Sequence, residues 1–265
     1  MRVLVTRPAA QAAEWVASLQ ENGIDALSLP LIGIEPASDV AALHDAWRGI
    51  KQRRLVVFVS PNAAQQFMAQ KFLDQQPGGL PWPANVLAGS PGPGTTRTLL
   101  DAGVPASCIV EPAADAPQFD SEALWAQLAP RDWHGADVLI VRGDGGRDWL
   151  AETLRAHGAT VAHLQAYRRV APSFDAGATA LLGDALAQPA AHLWFFSSSE
   201  AVANLGAVVA GLGASANPAG PWLRARAVAT HPRIAERATQ LGFGCVAEAR
   251  PTLAAVVACI QSMRP

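Results

Sequence analysis

Val3-Leu4-Val5-Thr6-Arg7-Pro8 and Val138-Leu139-Ile140-Val141-Arg142-Gly143 read as one object written twice, 135 positions apart. Each is a short apolar, largely β-branched run that stops at a polar turn, which predicts a strand buried on both faces of a parallel sheet. A helix is expected after each. In the first, Ala12, Trp15, Val16 and Leu19 fall at i, i+3, i+4 and i+7; in the second, Leu150 and Leu154 repeat the Trp15–Leu19 offset. Gly23 and Gly158, again 135 apart, predict that both helices end on a glycine.

Outward from these strands the correspondence continues with a slow drift in register, as changes in loop length produce. Val56-Val57-Phe58-Val59-Ser60-Pro61-Asn62-Ala63 parallels Trp194-Phe195-Phe196-Ser197-Ser198-Ser199-Glu200-Ala201. Gly92-Pro93-Gly94-Thr95-Thr96 with Gly103 parallels His231-Pro232-Arg233-Ile234-Ala235 with Gly242. Four landmarks in one order identify an internal duplication. Apolar strand-like runs alternate with amphipathic stretches of about 10–15 residues, the pattern of βαβ units on a parallel sheet. Two similar α/β lobes follow, with surface loops expected at the Pro- and Gly-rich stretches 76–83, 112–117 and 214–221.

The 265 residues suffice for two domains with substantial cores, and a composition half apolar and 16% charged is that of a globular chain. No apolar run approaches the roughly 20 residues that span a bilayer. Met1-Arg2 leads straight into the first strand, so no signal peptide is expected. Cys108, Cys245 and Cys259 are odd in number and far apart in sequence, which suits reduced thiols in a cytoplasmic protein. A net charge of −2 gives no field that favours nucleic acid or an acidic membrane. Eighteen arginines against two lysines match a GC-rich coding sequence, and arginine is also the better bidentate partner for carboxylates.

Ligands of open parallel sheets bind beyond the carboxyl ends of the strands, where helix N-termini present free N–H groups. Ser60-Pro61 has the form of a serine N-cap with proline at the first helical position, and Ser197-Ser198-Ser199 occupies the matching place in the second half. Gly92-Pro93-Gly94-Thr95 and Thr230-His231-Pro232 fill the next turn of each half. A βα turn needs a cap whether or not it binds anything; together, though, these turns form a donor-rich setting for an anion. Gly143-Asp144-Gly145-Gly146-Arg147 lacks both the G-x-G-x-x-G spacing and the Lys-Ser/Thr of a P-loop. No G-x-S-x-G elbow occurs, and the six histidines have no metal-ligand spacing.

Taken in order, these segments resemble the uroporphyrinogen-III synthase family along essentially the whole chain. The pieces that carry the resemblance are Val3 to Pro8, Phe58-Val59-Ser60-Pro61-Asn62-Ala63, Gly92-Pro93-Gly94-Thr95 and Gly143 to Leu150. Ala166-Tyr167-Arg168-Arg169, Phe196-Ser197-Ser198 and Ala229 to Ala235 complete the set. The resemblance implies two flavodoxin-like parallel-sheet lobes joined by a two-stranded β-ladder, with strands near 29–36 and 163–172. The first lobe would be discontinuous, residues 1–35 plus 173–265, and the second would be 36–172. The lobes would open and close around a large substrate.

The resemblance further implies a lyase that cyclises hydroxymethylbilane with inversion of ring D and loss of water, a step of haem and tetrapyrrole biosynthesis. It implies no metal and no organic cofactor, a linear tetrapyrrole as the small-molecule partner, and a monomer that engages neither nucleic acid nor membrane. Tyr167, the only tyrosine, matches the family's tyrosine and would hydrogen-bond to the departing hydroxyl or give it a proton. Ser60, Thr95, Ser197 and Thr230 would donate to substrate carboxylates, with Arg7, Arg142 and Arg147 as ion-pair partners. His231 stands where many members carry glycine and would take the substrate-binding role of the hydroxyl lost where Ile234 replaces a threonine, or else simply cap its helix. Two other readings stay open: a non-catalytic two-lobed protein that holds a tetrapyrrole or other polyanion, and a nucleotide-dependent α/β enzyme.

Overall fold

A computed structural model of the chain describes residues 1–72, 80–212 and 222–263. The expected loop 214–221 lies outside the described residues, as do 76–79 of the loop 76–83; residues 80–83 and 112–117 are irregular, as expected. In chain order the regular elements are β1 (Arg2–Val5), α1 (Ala9–Glu21), β2 (Ala26–Ser28), β3 (Gly33–Pro36), α2 (Val40–Arg48), β4 (Leu55–Phe58), α3 (Pro61–Met68), β5 (Leu87–Gly89), α4 (Pro93–Asp101) and β6 (Ile109–Val110). There follow α5 (Ser121–Leu128), β7 (Asp137–Arg142), α6 (Trp149–Ala156), β8 (Thr160–Gln165), β9 (Tyr167–Val170), α7 (Ala176–Ala187), β10 (His192–Phe196), α8 (Ser199–Gly211), β11 (Arg226–Ala229), α9 (Pro232–Leu241), β12 (Cys245–Glu248) and α10 (Leu253–Ser262).

The chain forms two compact units, Met1–Ile34 with Val170–Pro265, and Glu35–Arg169. The first holds a five-stranded parallel sheet in the order β12-β11-β10-β1-β2, the second one in the order β6-β5-β4-β7-β8. The strands paired by the duplication occupy matching places: β1 with β7, β10 with β4, β11 with β5. Numbered along its own chain the first unit has the flavodoxin-like order 2-1-3-4-5. The second has 3-2-1-4-5, because the chain enters the same arrangement at a different strand. Val3 hydrogen-bonds along a strand that pairs Val3 with Leu193, so the N-terminal βα piece is completed by strands from the end of the chain.

β3 and β9 form a separate two-stranded antiparallel sheet. It is shorter than the stretches 29–36 and 163–172 expected for it. Residues 160–165 pair instead with β7 as β8, and the ladder strand starts only at Tyr167 after Ala166 N–H donates to Arg142 O at 2.7 Å.

The fully apolar runs lie where both faces of a sheet are covered. All four residues of β4 and all five of β10 are buried. In the first unit one face packs Leu4, Trp194, Phe196, Trp222 and Phe243 together, with the Trp222 and Phe243 rings stacked at 5.0 Å; the other face packs Val3, Val5, Phe195, Val256 and Ile260. In the second, Val138, Ile140, Leu124, Leu128 and Leu154 form the corresponding core. Truncating one such leucine to alanine costs about 2–5 kcal/mol. Gly23 and Gly158 sit just past the ends of α1 and α6 at φ +70° and +88°, the left-handed conformation in which a helix terminates most readily on glycine.

Candidate active site

In the second unit the buried strand β4 ends at Phe58, and the chain turns at the exposed Val59 to begin α3. Ser60 has extended backbone, and its Oγ accepts from Ala63 N–H at 3.2 Å, capping the helix whose first residue is Pro61. The expected cap is therefore present. Tyr167 opens β9 on the other side of the turn. Its side chain is 0% exposed and its phenol oxygen lies 3.0 Å from Ser60 Oγ. The structure thus joins two residues 107 positions apart that the sequence offered separately.

Two neighbours hold this pair. Arg169 donates from Nη2 to the Tyr167 oxygen at 3.2 Å, and its guanidinium carbon stands 5.7 Å from the ring centroid. Its backbone N–H donates to Asp144 Oδ1 at 2.8 Å, tying the ladder strand to the glycine-rich turn after β7. Gly143, in that turn, leaves room for the phenol: a β-carbon there would sit 2.8 Å from Tyr167 Cε2 and Cζ. Arg169 is not among the candidates named from the sequence. Alternation along a strand puts residues 167 and 169 on one face, and that period could have singled it out within Ala166-Tyr167-Arg168-Arg169.

Other candidates of this unit are engaged differently. Thr95 is 3% exposed and faces inward in the first turn of α4, as Ile234 does at the matching place in α9 with 7% exposed. The neighbouring Thr96 reaches Ser90 Oγ at 2.9 Å and Glu111 Oε2 at 2.6 Å. Arg142 pairs with Asp148, and Arg147 makes a two-pronged contact to Glu122 at 2.6 and 2.8 Å. Both arginines are thus already matched by carboxylates of the chain, and the Arg142 hydrogen bond, with its charge, pulls the Asp148 carboxyl below its ordinary value. His163 Nε2 also lies 3.5 Å from Asp148 Oδ1. That contact alone would raise the imidazole pKa, but partial burial and then the Arg142 charge outweigh it, so His163 is shifted downward and the pair is not an ion pair at neutral pH.

In the first unit Arg7 leaves the end of β1 and lays its guanidinium 5.0 Å from the Trp15 ring centroid and 5.9 Å from that of Phe195. Nη1 donates to Gln11 Oε1 at 3.1 Å, while Nε is buried with no hydrogen-bond partner. Burial lowers its pKa to about 10 against an opposing pull from Glu14. The helix after β10 is capped by Ser198, whose Oγ accepts from Glu200 N–H, and not by Ser197. The duplication itself pairs Ser60 with Ser198 and Ser197 with Val59, so the equivalent of the Ser60 hydroxyl belongs one residue later. Thr230 is largely buried at the end of β11. His231 caps α9, its Nδ1 accepting from Arg233 N–H at 3.1 Å. Among the described residues no three His, Cys, Asp or Glu side chains are grouped as metal ligands, and no helix is long and apolar enough to cross a membrane.

The family model described as Uroporphyrinogen-III synthase HemD matches residues 13–258. The chain belongs to the uroporphyrinogen-III synthase family. Among curated relatives, the Uroporphyrinogen-III synthase of Salmonella typhimurium is 32% identical over 186 residues, covering 68% of this chain and 70% of that one. The enzyme of the same name from Escherichia coli is 31% identical over 181 residues, again 68% and 70%. Two solved uroporphyrinogen-III synthases share the fold. One, a mutant from Thermus thermophilus, has a TM-score of 0.55 at 18% identity, covering 99% of this chain and 98% of that one. The other, from Helicobacter pylori, has a TM-score of 0.55 at 16% identity over all of both chains. The duplicated parallel sheets with a two-stranded ladder are accordingly the uroporphyrinogen-III synthase fold, and the chain is an enzyme of tetrapyrrole biosynthesis.

Proposed function

We propose that the enzyme cyclises hydroxymethylbilane, and that Ser60 and Tyr167 form the polar centre at which the ring-A hydroxyl departs. The 3.0 Å hydrogen bond between them carries the reading. It places a capping hydroxyl at a helix N-terminus, where the first-turn N–H groups favour developing negative charge. Loss of the hydroxyl as water gives an azafulvene cation. The substituted α-carbon of ring D attacks it, the spiro intermediate rearranges, and a proton leaves. Closure without inversion is the easier spontaneous course, so the protein's part is orientation and electrostatics.

Arg7, with a buried Nε that has no partner, is suited to a substrate carboxylate. Thr230, His231 and Ser197 line the same ends of the first sheet, with Ser198 as the cap beside them. Arg142, Arg147 and Thr95 are weaker binding residues, being matched by Asp148 and Glu122 or turned inward. We place the enzyme in the cytoplasm as a monomer without nucleic-acid or membrane partners, its lobes being 1–35 with 173–265 and 36–172. Membership in an enzyme family leaves the binding-protein alternative without support. Supplying freshly generated hydroxymethylbilane to the purified protein and separating the type III and type I isomers by chromatography tests the reading. Excess type III is expected; the spontaneous type I product alone would refute it.

A further inference from the structure

We infer that Arg169 is a positioning residue: it fixes the direction of the hydroxyl pair so that Ser60, and not Tyr167, presents the hydrogen to the substrate. This deepens the site reading above and rests on it. A guanidinium can only donate, so the Tyr167 oxygen is the acceptor in the 3.2 Å contact from Arg169 Nη2. Ser60 Oγ accepts from Ala63 N–H. The remaining 3.0 Å contact between the two hydroxyls has two possible directions. If Ser60 donated, the Tyr167 oxygen would accept twice and its own hydrogen would be left over on a side chain that is 0% exposed, which is costly for a buried donor. If Tyr167 donates, every buried hydrogen is used, and the one left over belongs to Ser60.

Exposure agrees with that direction. Tyr167 is sealed beneath Gly143, whereas Ser60 is partly open at the helix N-terminus. The donor chain runs from Arg169 through Tyr167 to Ser60 and ends at the ligand. Tyr167 accordingly acts through Ser60. Arg169 itself is held by its backbone bond to Asp144, which anchors it independently of any substrate.

A double-mutant cycle on the full-length enzyme decides this, with kcat, KM and the III-to-I isomer ratio measured for each variant beside its melting temperature. Ser60→Ala is expected to lower kcat about a hundredfold, as loss of one preorganised donor does. Tyr167→Phe and Arg169→Met should each lower kcat by about five- to tenfold, the worth of one hydrogen bond, with KM little changed. Arg169→Lys, which keeps a donor, should recover most of the rate. The combination of Ser60→Ala with Tyr167→Phe should be no slower than Ser60→Ala alone. Singles that multiply in the combination would show Tyr167 acting directly and overturn the inference while sparing the site. A Ser60→Ala enzyme of full rate would remove the site reading and the inference together.

Discussion

Gly143 and Tyr167 are in contact across the end of the second sheet, the phenol ring occupying the space that any larger residue at 143 would need. The glycine there is an opening for a ring, not a conformational necessity. Gly143→Ala brings a methyl group to 2.8 Å from two ring carbons, so the buried ring must shift from the position in which it meets Ser60. Overpacking of this kind costs about 1–3 kcal/mol. We expect a lowered melting temperature together with a fall in kcat; an enzyme of undiminished rate would show that the Ser60–Tyr167 distance is immaterial.

Arg7 combines a guanidinium laid over the contacting rings of Trp15 and Phe195 with a buried donor that lacks an acceptor. Replacing a poorly solvated charge by an apolar side chain of similar length is often neutral for stability. Arg7→Met should therefore change the urea midpoint little but raise KM by about tenfold, the cost of one charge-assisted hydrogen bond. Unchanged KM would take Arg7 out of the binding set.

Ser197 and Ser198 separate by role. Ser198→Ala removes the α8 cap and should cost about 1 kcal/mol in denaturant unfolding. Ser197→Ala should cost much less. Equal effects would contradict the cap assignment.

His163 predicts a pH effect. Its folded-state pKa lies below 6.5, through burial and the Arg142 charge, so the folded protein binds fewer protons than the unfolded chain just below that value. Its contribution to stability is complete above pH 6.5 and declines as pH falls toward the depressed folded value. Urea unfolding at pH 7.5 and pH 5.5 should show a smaller loss for His163→Gln than for the unaltered protein; equal losses would exclude His163 as a source.

Much of the architecture was legible before any coordinate. Val3 to Val5 and Val138 to Val141 read as strands because burial on both faces demands unbroken apolar runs, and they take matching places in the two sheets. Ser60-Pro61 read as a helix start because the cap is a local hydrogen bond, and local bonds leave local spacing. Ser197-Ser198-Ser199 left the α8 cap open among three residues, because consecutive serines give a cap no unique address in the sequence. Only the backbone conformation at Ser198 separates them. Likewise 163–165 joined a parallel sheet and not the ladder, since strand runs do not state their partners.

The sequence alone determined the repeat, a likeness between segments 135 positions apart, and the parallel α/β class, the helix caps and the residue types available for acid recognition, which depend on neighbours within a few positions. Tertiary structure alone decided that Tyr167 meets Ser60, that Arg169 and Gly143 hold it there, and that Glu122 and Asp148 already occupy Arg147 and Arg142. Arg169 is only two residues from Tyr167, on the face that strand alternation gives both; the other contacts join residues from 6 to 107 positions apart, and a hydrogen bond or a ring filling a gap has no periodicity along the chain. It exists only once the sheet has brought its strand ends together.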